Sequence, residues 1–154
     1  MSTVTLGFEE DTFLSKQEIA RIQLVEAIVQ FLAGKYVCAI TLAGAAEAVL
    51  AGLLTQRGRA TVVEDSVATM RSIMEVAGLV MFNGKKDNET FNEWNAVRNK
   101  LKHHGKSEDE LVGLNLFDEA YWMIKRGMVN AEKLSIGIAN QDAFENWITQ
   151  NINM

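Results

Sequence analysis

The residue types best suited to chemistry stand together in one short stretch, Arg98-Asn99-Lys100-Leu101-Lys102-His103-His104. An arginine keeps its charge at any physiological pH, and its planar fork grips a phosphate or carboxylate through two parallel hydrogen bonds. A histidine titrates near neutrality and can move a proton. The same residues also suit a plainer task. The stretch reads as the last two turns of a helix ended by Gly105, and cations there offset the negative end of the helix dipole by roughly 0.3–1 kcal/mol each. His104 follows Leu101 by three positions and falls close to the apolar stripe, so a packed histidine is expected there, with His103 the more exposed of the two. Lys100 and Lys102 are suited to holding phosphates, or are simply solvated. Trp94 could stack a base, but its place in the helix stripe makes it a core residue.

Glu47 is the second residue to single out. It lies in the middle of an almost wholly apolar run, Tyr36 to Leu54, where an unpartnered carboxylate is costly. Two readings fit. Glu47 could orient Arg98 or His103, or it could form a structural ion pair with Arg21, Arg71 or a helix end; the structural pair is the plainer expectation.

Charge narrows the choice of partners. The chain has 15 basic and 20 acidic residues, a formal charge of −5. Between Glu93 and Glu108 no acid occurs, while Arg98, Lys100, Lys102 and Lys106 supply +4, leaving −9 elsewhere. Such a chain does not attract polyanions in bulk, so any contact with RNA or another anion must be local to this stretch.

The elements that must position these residues are helices. The 154 residues fit a single domain, 1–154, with 1–13 as a flexible leading segment, and include no proline, as expected of a chain with much helix and little loop. Ser15-Lys16-Gln17-Glu18 reads as a capping box opening a first helix, with Ile22, Val25, Val29 and Leu32 as its apolar stripe and Gly34 as its end. The second helix, about Tyr36 to Thr55, is apolar all round and should be central, with Gly44, Ala48 and Gly52 as a strip for close approach. Cys38, the only cysteine, is expected in the core. A third helix spans about Ala60 to Phe82 on Val63, Val67, Met70, Met74 and Ala77. Asn83 to Asn88 reads as a loop. Thr90 and Glu93 form a second capping pair before a fourth helix that buries Phe91, Trp94, Val97 and Leu101 and runs to Gly105. Ser107 to Leu114 is ambiguous. Asn115 caps a fifth helix, and a last one spans Gln141 to Asn151. The fold class is all-α, an antiparallel up-and-down bundle of five to six helices.

Arg98-Asn99-x-x-x-His103 resembles the Arg-polar-x(3)-His motif of the HEPN superfamily, and Ala39 to Glu47 resembles a segment of bacterial HEPN-like proteins. The resemblance spans roughly Leu14 to Ile148. It implies a HEPN-like bundle and a metal-independent ribonuclease or RNA-binding protein of a bacterial defence or stress system. Arg98 and His103 would then be catalytic, with Asn99 orienting the phosphate or the histidine. Lys100, Lys102 and His104 would contact substrate, and Glu47 would support the site. Such cleavage uses the ribose 2′-hydroxyl as nucleophile, a proton-moving side chain, and a cation to stabilise the phosphorane. On a regular helix, residues five apart diverge by about 140°. Arg98 and His103 therefore share no face unless the helix distorts near Gly105 or the site lies over the helix end; the resemblance implies a site where two protomers bring their motif helices together, and with it a homodimer. An antitoxin or a nucleotidyltransferase is the further partner that the resemblance implies. The alternative is a non-catalytic helical module for oligomerisation or for binding a nucleotide or partner protein.

Other chemistries lack residues. Adjacent histidines with no cysteine or carboxylate at ligand spacing make no zinc site, no glycine-rich phosphate loop follows a strand, and no cofactor is expected. The N-terminus lacks the basic start and apolar stretch of a secretory signal, so a cytoplasmic location is expected. Tyr36 to Leu54 has the length of a membrane span, but Glu47 and the amphipathic helices around it favour a buried core helix.

Overall fold

The structure, a computed structural model, describes residues 6–77 and 87–152. All regular structure among the described residues is helical: α1 (Lys16–Leu32), α2 (Tyr36–Gln56), α3 (Val62–Ala77), α4 (Asp87–Trp94), α5 (Ala96–Lys102), α6 (Leu116–Lys133) and α7 (Gln141–Asn151). The all-α bundle expected from the sequence is found, with seven helices among the described residues rather than five or six.

Local chemistry sets several boundaries. Ser15 Oγ accepts the Glu18 amide at 3.1 Å, opening α1, and Asn115 Oδ1 accepts the Asp118 amide at 3.0 Å, opening α6. Gly34 takes φ +77° where the chain turns from α1 into α2, a conformation a β-carbon would strain. Thr61 caps α3 by accepting the Glu64 amide at 3.2 Å, a cap the sequence reading overlooked. Thr90 does not begin a helix. It is buried inside α4, which is already helical at Asp87. The part of the expected Asn83–Asn88 loop before Asp87, and the end of the expected third helix beyond Ala77, lie outside the described residues.

Helix α2 is central, packed mainly between α1 and α6, with α5 also against it. The core is one cluster drawn from α1, α2, α6 and α7 together with Leu134 and Ile138. Phe31 is its hub: its ring lies 5.2–5.4 Å from those of Tyr36, Phe117, Phe144 and Trp147, within the range of favourable aromatic pairs.

Three expectations need correction. The buried face of α1 is Ala20, Leu24, Ala27, Ile28 and Phe31, not the stripe of Ile22, Val29 and Leu32, which are 46 %, 46 % and 38 % exposed. The alanines let α2 approach closely, and that turns the larger residues of the second stripe outward. Cys38 is exposed, not in the core. It falls on the outer face of α2 with Thr41, Ala45, Ala48 and Gly52, all exposed, so α2 is central without being covered all round. The expected fourth helix is two helices, because Asn95 interrupts it. The Trp94 carbonyl is taken by Arg126 Nη1 at 3.3 Å and Asn95 Oδ1 by Arg126 Nη2 at 2.8 Å.

Helix α2 is the one helix among the described residues long and apolar enough to cross a membrane. Phe31→Ala is expected to destabilise the fold by about 3–5 kcal/mol, read as a lower urea midpoint with unchanged slope, because it empties the hub of the aromatic cluster.

Candidate functional site

The centre of the site is a carboxylate that the sequence places in an apolar helix. Glu47, 3 % exposed, sits on the face of α2 that meets α5 and α6. Arg98 Nη1 of α5 donates to its Oε2 at 2.7 Å, and Arg126 Nη2 of α6 lies 3.2 Å from its Oε1. Asn130, one turn beyond Arg126, donates Nδ2 to Oε1 at 3.4 Å. Asn130 also accepts the Val62 amide at 2.8 Å, so the cluster reaches the first residue of α3. Four helices thus converge on one carboxyl group. The arrangement satisfies both oxygens, which a buried carboxylate requires.

Of the two readings of Glu47, the structure gives the contact with Arg98 and adds a second arginine. Glu47 is held by Arg98, Arg126 and Asn130 among the described residues, not by Arg21 or Arg71; Arg21 pairs with Glu18 inside α1. Gly44 makes room for the Arg98 stem. A β-carbon at Gly44 would fall 2.6 Å from Arg98 Cδ and 2.8 Å from Cγ. The small-residue strip on α2 therefore admits an arginine at Gly44, and at Ala48 and Gly52 it lines a groove.

That groove, of about 310 Å3, runs beside the cluster and is lined in part by Gly52, Thr61, Glu64, Phe91, Arg98 and Arg126. The side chains of Arg98 and Arg126 are 19 % and 13 % exposed. Burial pushes the Arg126 guanidinium down from its ordinary pKa, and the charge of Glu47 opposes that shift. Burial raises the Glu119 carboxyl, against the attraction of Arg126. Arg126 Nε is buried with no hydrogen-bond partner, although both of its terminal nitrogens are engaged.

The motif residues divide between the interior and the surface. Arg98 is turned inward onto Glu47. Asn99, Lys100, Lys102, His103 and His104 are all exposed. For His104 this corrects the expectation of a packed histidine. Helix α5 ends at Lys102 rather than running to Gly105. His103 is its C-cap, with extended backbone and its amide bonded to the Asn99 carbonyl at 3.0 Å. The chain leaves the helix before His104 can reach the stripe that Leu101 continues. Arg98 is half-buried on Glu47 while His103, beyond the end of α5, is exposed. No group of three or more histidine, cysteine or acidic side chains that could hold a metal occurs among the described residues.

Sequence reasoning missed Arg126 and Asn130. They stand four residues apart, on one face of α6, but no local pattern sets that face apart from the solvated side of an amphipathic helix. Asn95 was missed for want of any helix-breaking residue type beside it.

Glu47→Ala is expected to cost about 3–5 kcal/mol by chemical denaturation, since it leaves two partly buried guanidiniums unpaired. Glu47→Gln should cost less, because its amide oxygen still accepts. Gly44→Ala is expected to cost about 1–3 kcal/mol by displacing the Arg98 stem, lowering the thermal midpoint by several degrees.

Compared with protein-family models, curated proteins and solved structures, the chain matches none, so what the site can do rests on its own residues.

Proposed function

We propose that this chain is a HEPN-like RNA-binding protein that contacts RNA through the basic end of α5. One observation carries the reading: Lys100, Lys102, His103, His104 and Lys106 are all exposed at that end, in the one stretch of an acidic chain that holds several cations and no acid. The burial of Arg98 on Glu47 supports it, because a helix pinned at its buried residue presents its last turn to solvent in a fixed orientation. Asn99 is exposed beside them.

The finer reading is metal-independent cleavage at a homodimer site, with His103 moving the 2′-hydroxyl proton and Arg98 stabilising the phosphorane. It requires the Arg98 guanidinium to be shared between Glu47 and a phosphate, and His103 to come from the second copy. The alternative, a non-catalytic helical module for oligomerisation or for binding a nucleotide or a partner protein such as a nucleotidyltransferase, is favoured by a specific observation. Arg98 is already committed to a buried carboxylate, and its guanidinium serves the fold.

Anisotropy of labelled single-stranded RNA against salt tests the proposal. With three lysines in contact, log Kobs should fall against log salt with a slope of about −2. The triple variant Lys100→Ala, Lys102→Ala, Lys106→Ala should abolish binding without loss of helical circular dichroism. Incubation of RNA in chelator tests the cleaving reading: cleavage by the wild type that disappears in His103→Ala establishes the ribonuclease, and binding without cleavage leaves an RNA-binding protein that is not a nuclease. Wild type that binds no RNA at low salt would sink the RNA reading altogether.

A further inference from the structure

The groove beside the Glu47 cluster holds more positive charge than the fold uses. Glu47 sets one negative charge against two guanidiniums, and all three side chains are largely buried. Glu119 acts on Arg126 through charge alone. One positive charge is thus unbalanced within hydrogen-bonding reach, in a place where an unpaired charge is costly. Burial pushes the Arg126 guanidinium down, the charge of Glu47 opposes that shift, and the charge of Arg98 adds to it. The two arginines differ in what they have to spare. Both terminal nitrogens of Arg126 are engaged by Trp94, Asn95 and Glu47, and its Nε is sealed from solvent. Arg98 binds Glu47 through Nη1 alone among the described residues, and its Nε and Nη2, without partners, are not buried. Those two nitrogens form one edge of the guanidinium, the fork that takes a carboxylate through two parallel hydrogen bonds.

Gly52 supplies an independent observation. It lies inside α2 without a positive φ, and a β-carbon there would meet nothing within 4 Å among the described residues. Glycine inside a helix is destabilising relative to alanine, and here neither backbone conformation nor packing calls for it. What its missing side chain does is keep the groove open. The lining also includes Ala48, Val63 and Phe91, an apolar surface for the body of a ligand. Glu64, exposed and accepting the Thr61 hydroxyl at 3.3 Å, lines the groove as well and repels a second negative charge. A volume of about 310 Å3 is at the small end of ligand pockets, enough for one ring and its acid group.

We infer that this groove binds a small organic monoanion, its carboxylate held by Nε and Nη2 of Arg98 and its apolar body laid along Gly52 and Phe91. The ligand supplies the negative charge that the cluster lacks and leaves the Arg98–Glu47 pair in place. The site stands apart from the RNA reading, which rests on the exposed end of α5.

Isothermal titration calorimetry of the full chain with benzoate tests the site. Benzoate should bind once per chain with a Kd of about 1 mM or tighter, the range open to a ligand of so few atoms, and its neutral analogue benzamide should not bind. Gly52→Leu should weaken benzoate at least about tenfold with unchanged circular dichroism and thermal midpoint, because the new side chain enters the open groove rather than the core. Arg98→Lys, which keeps a charge for Glu47 but loses the fork, should weaken it by a similar factor. The variant with Lys100, Lys102 and Lys106 all changed to alanine should bind benzoate as the wild type does. A wild type that does not bind benzoate overturns the site, as does a Gly52→Leu chain that binds it unchanged. An unfolded Gly52→Leu chain also overturns it, since the space beside Gly52 would then not be open. Loss of benzoate in the lysine variant places the anion at the end of α5 instead and overturns the groove. Benzamide or inorganic phosphate binding as tightly as benzoate overturns the carboxylate class. If benzoate binds as described and RNA does not, only the RNA reading falls.

Discussion

A carboxylate in the middle of the most apolar helix sets the terms for the rest of this structure. Burying Glu47 without partners would cost more than a domain's typical net stability allows, so whatever surrounds α2 must bring it cations and hydrogen bonds. The chain answers from two helices, with Arg98 from α5 and Arg126 and Asn130 from α6, and Asn130 ties in the start of α3. These contacts join segments far apart in sequence. Their directionality gives the bundle a register that apolar packing, which is non-directional, would specify less sharply. Whether the ion cluster adds net stability over an apolar substitute is a separate matter, since desolvation offsets much of the Coulombic gain.

The cluster also explains where the basic stretch of the chain divides. Its first member, Arg98, is drawn inward through the gap that Gly44 leaves, and Asn99, Lys100, Lys102, His103 and His104 are left at the surface. An arginine and a histidine that look like a catalytic pair in one dimension are therefore a structural anchor and a surface group within a single chain. A cleaving site would need the second copy to bring them together; a binding surface needs only the exposed half.

Much of the helical order was legible in the sequence because it is written in short-range chemistry. The caps at Ser15 and Asn115, the turn at Gly34 and the bounds of α7 at Gln141 and Asn151 all follow from residues within a few positions. What was not legible depends on distant partners. The two stripes of α1 share one periodicity, and only the approach of α2 decides which is inside. The same fact turned Cys38 outward. Glu47 announced itself as a buried charge, and Arg98 was one of its foreseeable partners, but Arg126 and Asn130 lie some eighty residues away on a helix that reads as ordinary and amphipathic. His104 was misplaced because α5 ends three residues before Gly105.

The interruption at Asn95 has a consequence for motion. One continuous helix from Asp87 to Lys102 would hold its own turns by cooperative hydrogen bonding. Two pieces of eight and seven residues are each too short to persist unaided in water, so they borrow their order from Arg126 and Glu47. The free energy of local opening along this segment is then set by two guanidiniums rather than by its own backbone. Its amides should exchange with solvent as one cooperative unit, ahead of those of α1, α2 and α6, which hold to the global limit. The exposed basic end of α5 is thus carried by a segment whose order comes from ion pairs with distant helices rather than from its own length.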